Sequence, residues 1–377
     1  MTWKSVREAL RQAPALPPLK GRVEGIDLAR GIAIALMIVS HAVSGIFGIR
    51  NVPDWGMVPI HLLTKFSSSL FIVVFGVALA LAFLTKTEEP DWPRRRRRLM
   101  LRGVEVFICY KALTVVEMLP FFPAPDILDA LLYQRFPIWV DILGFYAIAL
   151  LWLPWALPYW RRMPLWARLA LPVAITLLSG TLERHFNFFG SDALKAILVE
   201  DADYYTWGQL SRLPLVLLGL LIGEVVIRTY SCPDAKGRFV LAIGGAGFTM
   251  LLGFMVLSLP GLAAALMAVA WNEGKHPPEL PFMLFSLGGA LLILGLCLRG
   301  SKKGAWWLRP ITLIGSEPLG AFIFHIVVIF LGFRFLLEES LASFTYPQVL
   351  LIGIALVPAT AAWIAFSRWV GEHRKAR

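Results

Sequence analysis

The sequence predicts an all-α integral membrane protein, a single bundle of about ten transmembrane helices with both termini in the cytoplasm. Of its 377 residues, 58% are hydrophobic and only 16% are charged, and the mean hydropathy is +0.68. Soluble domains have roughly 45–50% apolar residues. The charged residues are too few to cover a water-soluble fold of this length, so lipid must surround much of the protein surface.

Ten apolar segments are long enough to cross the bilayer, since a helical span needs about 20 residues at a rise of about 1.5 Å each. We predict spans at residues 27–48, 60–84, 99–119, 138–158, 164–182, 208–227, 239–258, 281–298, 308–333 and 347–369. The apolar stretch Gly261–Trp271 is shorter, which favours a re-entrant or interfacial helix over an eleventh span. The predicted organisation is a cytoplasmic N-terminal segment (1–24), a transmembrane domain (25–371) and a cytoplasmic tail (372–377).

The distribution of Lys and Arg predicts the orientation in the membrane. With ten spans, 24 of the 36 basic residues fall on the side of the termini and six on the other side. Cytoplasmic loops carry the Lys and Arg excess. The N- and C-termini are therefore expected on the cytoplasmic side of the cell inner (plasma) membrane. Because the net charge of +11 is explained by these loops, the expected partner is the lipid bilayer and not nucleic acid.

Three ionisable residues in the first predicted span share one helical face. At about 100° per residue, Arg30 and His41 differ by about 20° around the axis, and Asp27 and His41 by about 40°. A charged side chain at the membrane centre costs at least about 2.5–3.5 kcal/mol, so it usually faces a cavity or a partner. We therefore predict a polar path beside this helix. A structural hydrogen bond of His41 within the bundle is the alternative.

A second group of candidates begins the third predicted span. Arg98, Arg102 and Glu105 share a face next to the arginine run 94–98. Arg presents planar, bidentate donors that match phosphate oxygens, so we predict a phosphate site with Arg98 and Arg102 directed toward the bundle. A simple positive-inside anchor is the alternative.

Further candidates lie in the second and ninth predicted spans. His61 and Lys65 share a face near the outer end of the second span, where snorkelling of Lys65 to the interface is an equal alternative. Glu317 and His325 in the ninth span lie about 80° apart around the axis, so they loosely share a side. The three cysteines are far apart and show no metal-site spacing, so no metal is expected.

The stretch Arg22–Gly31, followed by Met37 and His41, resembles the first helix of a superfamily of membrane acyltransferases. This superfamily includes the type-3 acyltransferases, the periplasmic glucan succinyltransferases and heparan-α-glucosaminide N-acetyltransferase. Four further stretches are similar to family segments: Phe71–Gly76, the arginine run 94–98, Asp141–Tyr146 and Ile314–His325. In the heparan branch a functional His lies in the outer loop after the first helix, and Ile49–Pro59 contains none. The resemblance therefore favours the branch with its His inside that helix.

The resemblance implies transfer of an acyl group from cytosolic acyl-CoA to a hydroxyl or amine of an extracytoplasmic carbohydrate or glycoconjugate. Acetyl-CoA or succinyl-CoA would be the donor substrate, with no tightly bound cofactor. His41 would act as general base or through a transient acyl-His. The other expected roles are donor-channel support by Asp27, Arg30 and Glu105, acyl-CoA binding by Arg95, Arg98 and Arg102, and an acceptor-side or proton-relay role for His61, Lys65, Glu317 and His325.

Two other classes of function fit parts of the same pattern. In a secondary transporter, intramembrane Asp, Arg, His and Glu would bind protons and substrate. The second class is a non-catalytic membrane partner or sensor. Acyl-CoA hydrolysis or acyl labelling of the purified protein would distinguish the acyltransferase from both.

Overall fold

A computed structural model describes residues 16–17, 21–204, 206–300, 308–337 and 343–375. The predicted N-terminal segment (1–24) and tail (372–377) therefore lie partly outside the described residues. The structure is 82% helical. Across the described ranges it has no β-strand, and nine helices are long and apolar enough to cross a membrane. These observations confirm the predicted all-α membrane fold.

The described helices follow the predicted spans closely. In chain order they are α1 Glu24–Ala42, α2 Phe66–Phe83, α3 Trp92–Met118, α4 Ala124–Leu131, α5 Asp141–Arg162, α6 Leu165–His185, α7 Asp192–Val199, α8 Gln209–Thr229, α9 Pro233–Ser258, α10 Leu262–Ala270, α11 Leu280–Arg299, α12 Arg309–Ser316, α13 Pro318–Ile326 and α14 Tyr346–Lys375. Helix α10, in the stretch where a short helix was expected, has nine residues. At a rise of about 1.5 Å per residue it is too short to span the bilayer.

Helix α3 corresponds to a predicted span, but it is too polar to count among the nine apolar helices. It has 27 residues, so its length would suffice to cross the hydrocarbon core. Its composition is too polar because Arg102, Glu105, Lys111 and Glu117 interrupt the apolar residues that follow the arginine run 94–98. The arginines thus belong to the first turns of a helix and not to a loop.

Two other predicted spans are less regular than expected. In the second, the long α-helix begins only at Phe66, after a π-helical segment at Met57–His61 and a short α-helical turn at Leu62–Thr64. The ninth is interrupted at Glu317, between α12 and α13, and α13 continues as a π-helix over Val327–Phe335. Pro318 explains the interruption, because proline has no N–H to donate and restricts the residue before it.

The chain divides into two compact units. The first contains Ile72–Lys111 and Leu132–Phe239. In it, α2 and α8 approach closely at glycines: a Cβ on Gly76 would lie 2.2 Å from the carbonyl oxygen of Val216. Small residues allow such backbone contact between membrane helices. Buried ion pairs of this unit include Arg168 with Glu224 and Arg212 with Glu200.

The second unit contains Arg22–Phe71, Ala112–Leu131 and Val240–Arg377, and it includes α1. Helix α1 packs against α11, α12, α13 and α14. Its contact with α12 is the tightest, because a Cβ on Gly31 would lie 1.9 Å from the Ile311 carbonyl oxygen and one on Gly315 would lie 1.8 Å from that of Asp27. Helix α1 is therefore fixed against several neighbours, and His41 is held near its C-terminal end.

Candidate active site

His41 and His325 form a hydrogen-bonded pair inside the second unit. His41 Nδ1 lies 3.1 Å from His325 Nε2, and the two rings stack with centroids 5.3 Å apart. Phe322 packs edge-on against both rings. His325 is fully buried, whereas His41 is partly accessible. The structure thus brings together two residues that the sequence placed in different helices and in different roles.

A second hydrogen bond assigns the protons of the pair. His325 Nδ1 lies 2.8 Å from the carbonyl oxygen of Ala321. A carbonyl oxygen can only accept, so His325 Nδ1 carries the proton, and Nε2 of the neutral ring is an acceptor. His41 Nδ1 must then donate to His325, which leaves the lone pair of His41 Nε2 free. The pair therefore holds His41 in the tautomer that a general base requires.

Both helices change to π geometry just beyond the histidines. Val43–Phe47 follows His41 in α1, and Val327–Phe335 begins two residues after His325. The two π segments pack together, with Gly45 against Ile329. Single π-helical turns are rare and occur frequently at functional sites. The irregular geometry therefore marks the same place as the histidine pair.

Asp27 and Arg30 take part in the packing of α1 on α12. Asp27 accepts a hydrogen bond from Arg22, which raises the pKa of that guanidinium. Arg30 lies 3.7 Å from Asp27 and donates to the Gly315 carbonyl oxygen at 3.0 Å. These contacts give both residues a structural role where the two backbones touch. Their role in a donor channel stays a prediction.

Glu317 does not join the histidine pair. It immediately precedes α13, eight residues before His325, and its carboxylate accepts a hydrogen bond from Arg368 near the end of α14. Eight helical residues rise about 12 Å, which is too far for direct contact. The acceptor-side or proton-relay role of Glu317 stays a prediction.

Arg98 and Arg102 of α3 are exposed, which corrects the prediction that they face the bundle. The buried face of α3 is formed by apolar residues such as Leu99 and Val106. Arg102 pairs with Glu105 at 2.6 Å, and both side chains are about half exposed. The sequence showed that these residues share a face but not that the apolar residues would direct it outward.

The predicted phosphate-binding arginines differ in whether a protein carboxylate already holds them. Arg95 pairs with Asp91 at 2.7 Å and with Glu89 at 3.2 Å. In the described part of the chain, no carboxylate pairs with Arg98. Of the three predicted residues, Arg98 is therefore the one whose donors are not already used by a carboxylate.

His61 and Lys65 are both buried, which excludes the snorkelling alternative for Lys65. The Lys65 ammonium donates a hydrogen bond to Asn272 Oδ1 at 2.9 Å. His61 packs against the Tyr346 ring with a centroid distance of 6.0 Å, and among the described residues neither of its ring nitrogens has a hydrogen-bond partner. Asn272 and Tyr346 were not predicted as site residues, because no local sequence signal links positions so far apart in the chain.

Comparison with known families decides what kind of protein contains these histidines. The family model of the heparan-alpha-glucosaminide N-acetyltransferase catalytic domain matches residues 22–256, which is more than half of the chain. The chain belongs to this family. No curated protein matches it. Membership in the acetyltransferase family confirms the predicted resemblance and indicates a membrane acyltransferase. The matched range contains His41, whereas His325 lies beyond it.

The pair can perform the proton transfers that acyl transfer in this family needs. A proton taken up at His41 Nε2 leaves the Nδ1–H bond to His325 intact, so the imidazolium keeps its hydrogen-bond acceptor. Ala321 fixes His325, and His325 in turn fixes His41. In other acyl-transfer sites a base activates the nucleophile and a third group orients the base. Here His41 can take the place of the base and His325 that of the orienting group.

Proposed function

We propose that this protein transfers an acyl group from cytosolic acyl-CoA to a hydroxyl or amine of an extracytoplasmic carbohydrate or glycoconjugate. We place it in the cell inner (plasma) membrane, with acetyl-CoA or succinyl-CoA as donor. The observation that carries the proposal is the His41–His325 hydrogen bond, in a chain of the acetyltransferase family. It supplies an oriented base in the outer half of α1, about 21 Å of helical rise beyond Asp27.

In the proposed reaction His41 Nε2 accepts the proton of the acceptor hydroxyl or amine. The acceptor atom then attacks the thioester carbonyl carbon, and the C–S bond breaks as the new C–O or C–N bond forms. The CoA thiolate leaves and receives the proton from His41. Such general-base assistance typically contributes about 10²–10⁴-fold to the rate. A transient acyl group on His41 Nε2 would use the same free lone pair.

For the donor end we propose that Arg98 contacts the phosphates of acyl-CoA. It is exposed and has no carboxylate partner among the described residues. Arg95 and Arg102, in contrast, each pair with at least one carboxylate. Arg95 and Arg102 would then shape the local charge, together with Glu105. Asp27 and Arg30, near the inner end of α1, remain the proposed supporting residues of the donor channel.

The experiment measures thiol release and acyl transfer by the purified full-length protein given acetyl-CoA or succinyl-CoA. We expect turnover by the wild type and a loss of about 10²–10⁴-fold in His41→Gln, with unchanged acyl-CoA binding. His373→Gln is the matched control, because His373 is exposed and hydrogen-bonds only its own helix at Trp369. Near wild-type turnover by a well-expressed His41→Gln protein would remove His41 from the chemistry. Failure of the wild type to release thiol would favour a transporter or a non-enzymatic role.

A further inference from the structure

Lys65 is a buried cation for which the described protein provides no counter-ion. Its side chain is 4% exposed, and its one hydrogen bond goes to the neutral amide oxygen of Asn272. Glu273, the acidic neighbour of Asn272, is exposed and forms no ion pair with Lys65 in the described ranges. Removing an ammonium group from water is costly unless an opposite charge and further hydrogen bonds compensate. The ammonium has two further donors that could be used by a ligand.

His61, one helical turn before Lys65, also has unsatisfied hydrogen-bonding groups in the described structure. Its side chain is fully buried, yet in the part of the chain that the structure describes neither Nδ1 nor Nε2 has a hydrogen-bond partner. Buried polar groups in native proteins nearly always have hydrogen-bond partners, so an exception calls for an explanation. One missing ligand that accepts hydrogen bonds would satisfy both His61 and Lys65.

The surroundings of these two residues favour a negative charge. Helix α10 packs against Met57–Thr64, and the turn after it supplies Asn272. The same turn carries Lys275, whose backbone N–H donates to the Asn272 carbonyl oxygen at 3.1 Å. The turn that supplies the hydrogen-bond partner of Lys65 therefore carries a second basic residue, Lys275, three positions after Asn272.

We propose that His61 and Lys65 form a binding site for an anionic group, a carboxylate or a phosphate, carried by one of the two substrates. An ionised oxygen would accept from the Lys65 ammonium and from the protonated nitrogen of His61. Charge-assisted bonds of this kind are the strong ones in a site with little water. The assignment of the anion to a substrate rests on the proposed acyl transfer, whereas anion binding by itself does not.

The test measures thermal unfolding of the detergent-purified full-length protein with free succinate or inorganic phosphate, against sodium chloride of equal ionic strength. A ligand that binds only the folded state raises the melting temperature in a saturable way. We expect one of the two anions to do this for the wild type. In Lys65→Met, loss of a charge-assisted hydrogen bond should weaken binding by roughly tenfold or more. Met keeps the approximate length and removes the buried charge, so the variant is expected to fold.

Controls separate this site from general charge effects and from catalysis. Lys195→Met makes the same change at a lysine that pairs with Asp201 at 2.8 Å, and it should keep the anion response. His41→Gln should also keep it while losing transfer. The proposal is overturned if neither anion stabilises the wild type beyond chloride, or if Lys65→Met responds as the wild type does. Absence of turnover in a protein that still binds the anion would instead count against the proposed function.

A donor comparison identifies which substrate carries the anion. If the acyl group carries it, succinate stabilises the protein, and Lys65→Met raises the KM for succinyl-CoA by a factor roughly tenfold or more greater than its effect on the KM for acetyl-CoA. If the acceptor carries a phosphate, inorganic phosphate stabilises the protein, and the variant changes the KM of both donors by the same factor. An equal loss of activity with both donors, without thermal stabilisation by either anion, would contradict the proposal.

Discussion

At the scale of single residues, the proposed chemistry depends on which nitrogen of His41 is free. Nδ1 of His41 is used by His325, and His325 is fixed through its own Nδ1 to Ala321. His325 touches no reacting atom in this scheme and is a positioning residue. The role that we propose for it is to select one tautomer and one ring orientation of His41.

His325→Gln should therefore slow the chemical step without weakening donor binding. The Gln side chain can still accept a hydrogen bond but is not fixed by Ala321, so the orientation of His41 becomes less defined. We expect kcat to fall by more than about tenfold, within the range of general-base effects, and the KM for acyl-CoA to stay constant. Steady-state kinetics of purified protein check this. A variant with unchanged kcat, or with a KM effect alone, would show that His325 only packs.

Sequence reasoning found both histidines but not their contact. His41 was recognisable because an ionisable residue inside an apolar helix needs a partner or a cavity. The partner could not be identified, because 284 positions separate the two residues and the angular position on a helix does not tell which neighbour lies opposite. The burial of Lys65 was equally invisible, since snorkelling and burial are both compatible with a lysine near a helix end.

At the scale of helices, α1 and α12 are held together by glycine. Gly31 and Gly315 let the two backbones touch, and Arg30 donates to the Gly315 carbonyl oxygen at that point. The sequence motifs that resemble the family in these two helices thus coincide with a packing contact. We infer that part of the resemblance reflects helix packing and not chemistry.

Gly315→Ala should destabilise the protein, because its Cβ would lie 1.8 Å from the Asp27 carbonyl oxygen, where the backbone must move. Overpacking of this kind typically costs about 1–3 kcal/mol and occasionally more. Gly320→Ala is the matched control, since a Cβ there meets nothing within 4 Å. Helix propensity alone makes that second change neutral or favourable. The melting temperatures in detergent compare the stability of the two variants, and equal values would disprove the close contact.

The exposed face of α3 carries the proposed donor site. Arg98→Gln should weaken acyl-CoA binding by about 1.5–3 kcal/mol, the usual contribution of a hydrogen bond to a charged group. Arg95→Gln is the comparison, and we expect a smaller effect because Asp91 and Glu89 already pair with Arg95. Calorimetry with acyl-CoA measures both affinities. Equal affinities for Arg98→Gln and the wild type would leave the arginines of α3 as topology signals only.

At the scale of the whole molecule, apolar length predicted nearly every helix, because bilayer thickness fixes the number of residues that a span requires. The breaks within helices were harder to predict. The interruption at Glu317 depends on Pro318, which is visible in the sequence, but the π segments after His41 and His325 depend on packing between them. Such distortions leave no clear sequence signal, so the site was predicted as residues and not as geometry.

The orientation of the termini depends on whether α3 crosses the membrane. Its length suffices, and its arginine run occupies the first turns, where long side chains can reach the interface. If α3 crosses, reporters near Arg162, Lys302 and Arg374 should read cytoplasmic, and one near Asp192 extracytoplasmic; Lys302 itself lies outside the described residues. If α3 does not cross, each of these readings reverses, because every later helix then enters from the opposite side. A reporter near Glu88, before α3, reads cytoplasmic in both cases and is the internal control. We expect the first pattern, since only ten crossings place 24 of the 36 Lys and Arg residues on the cytoplasmic side.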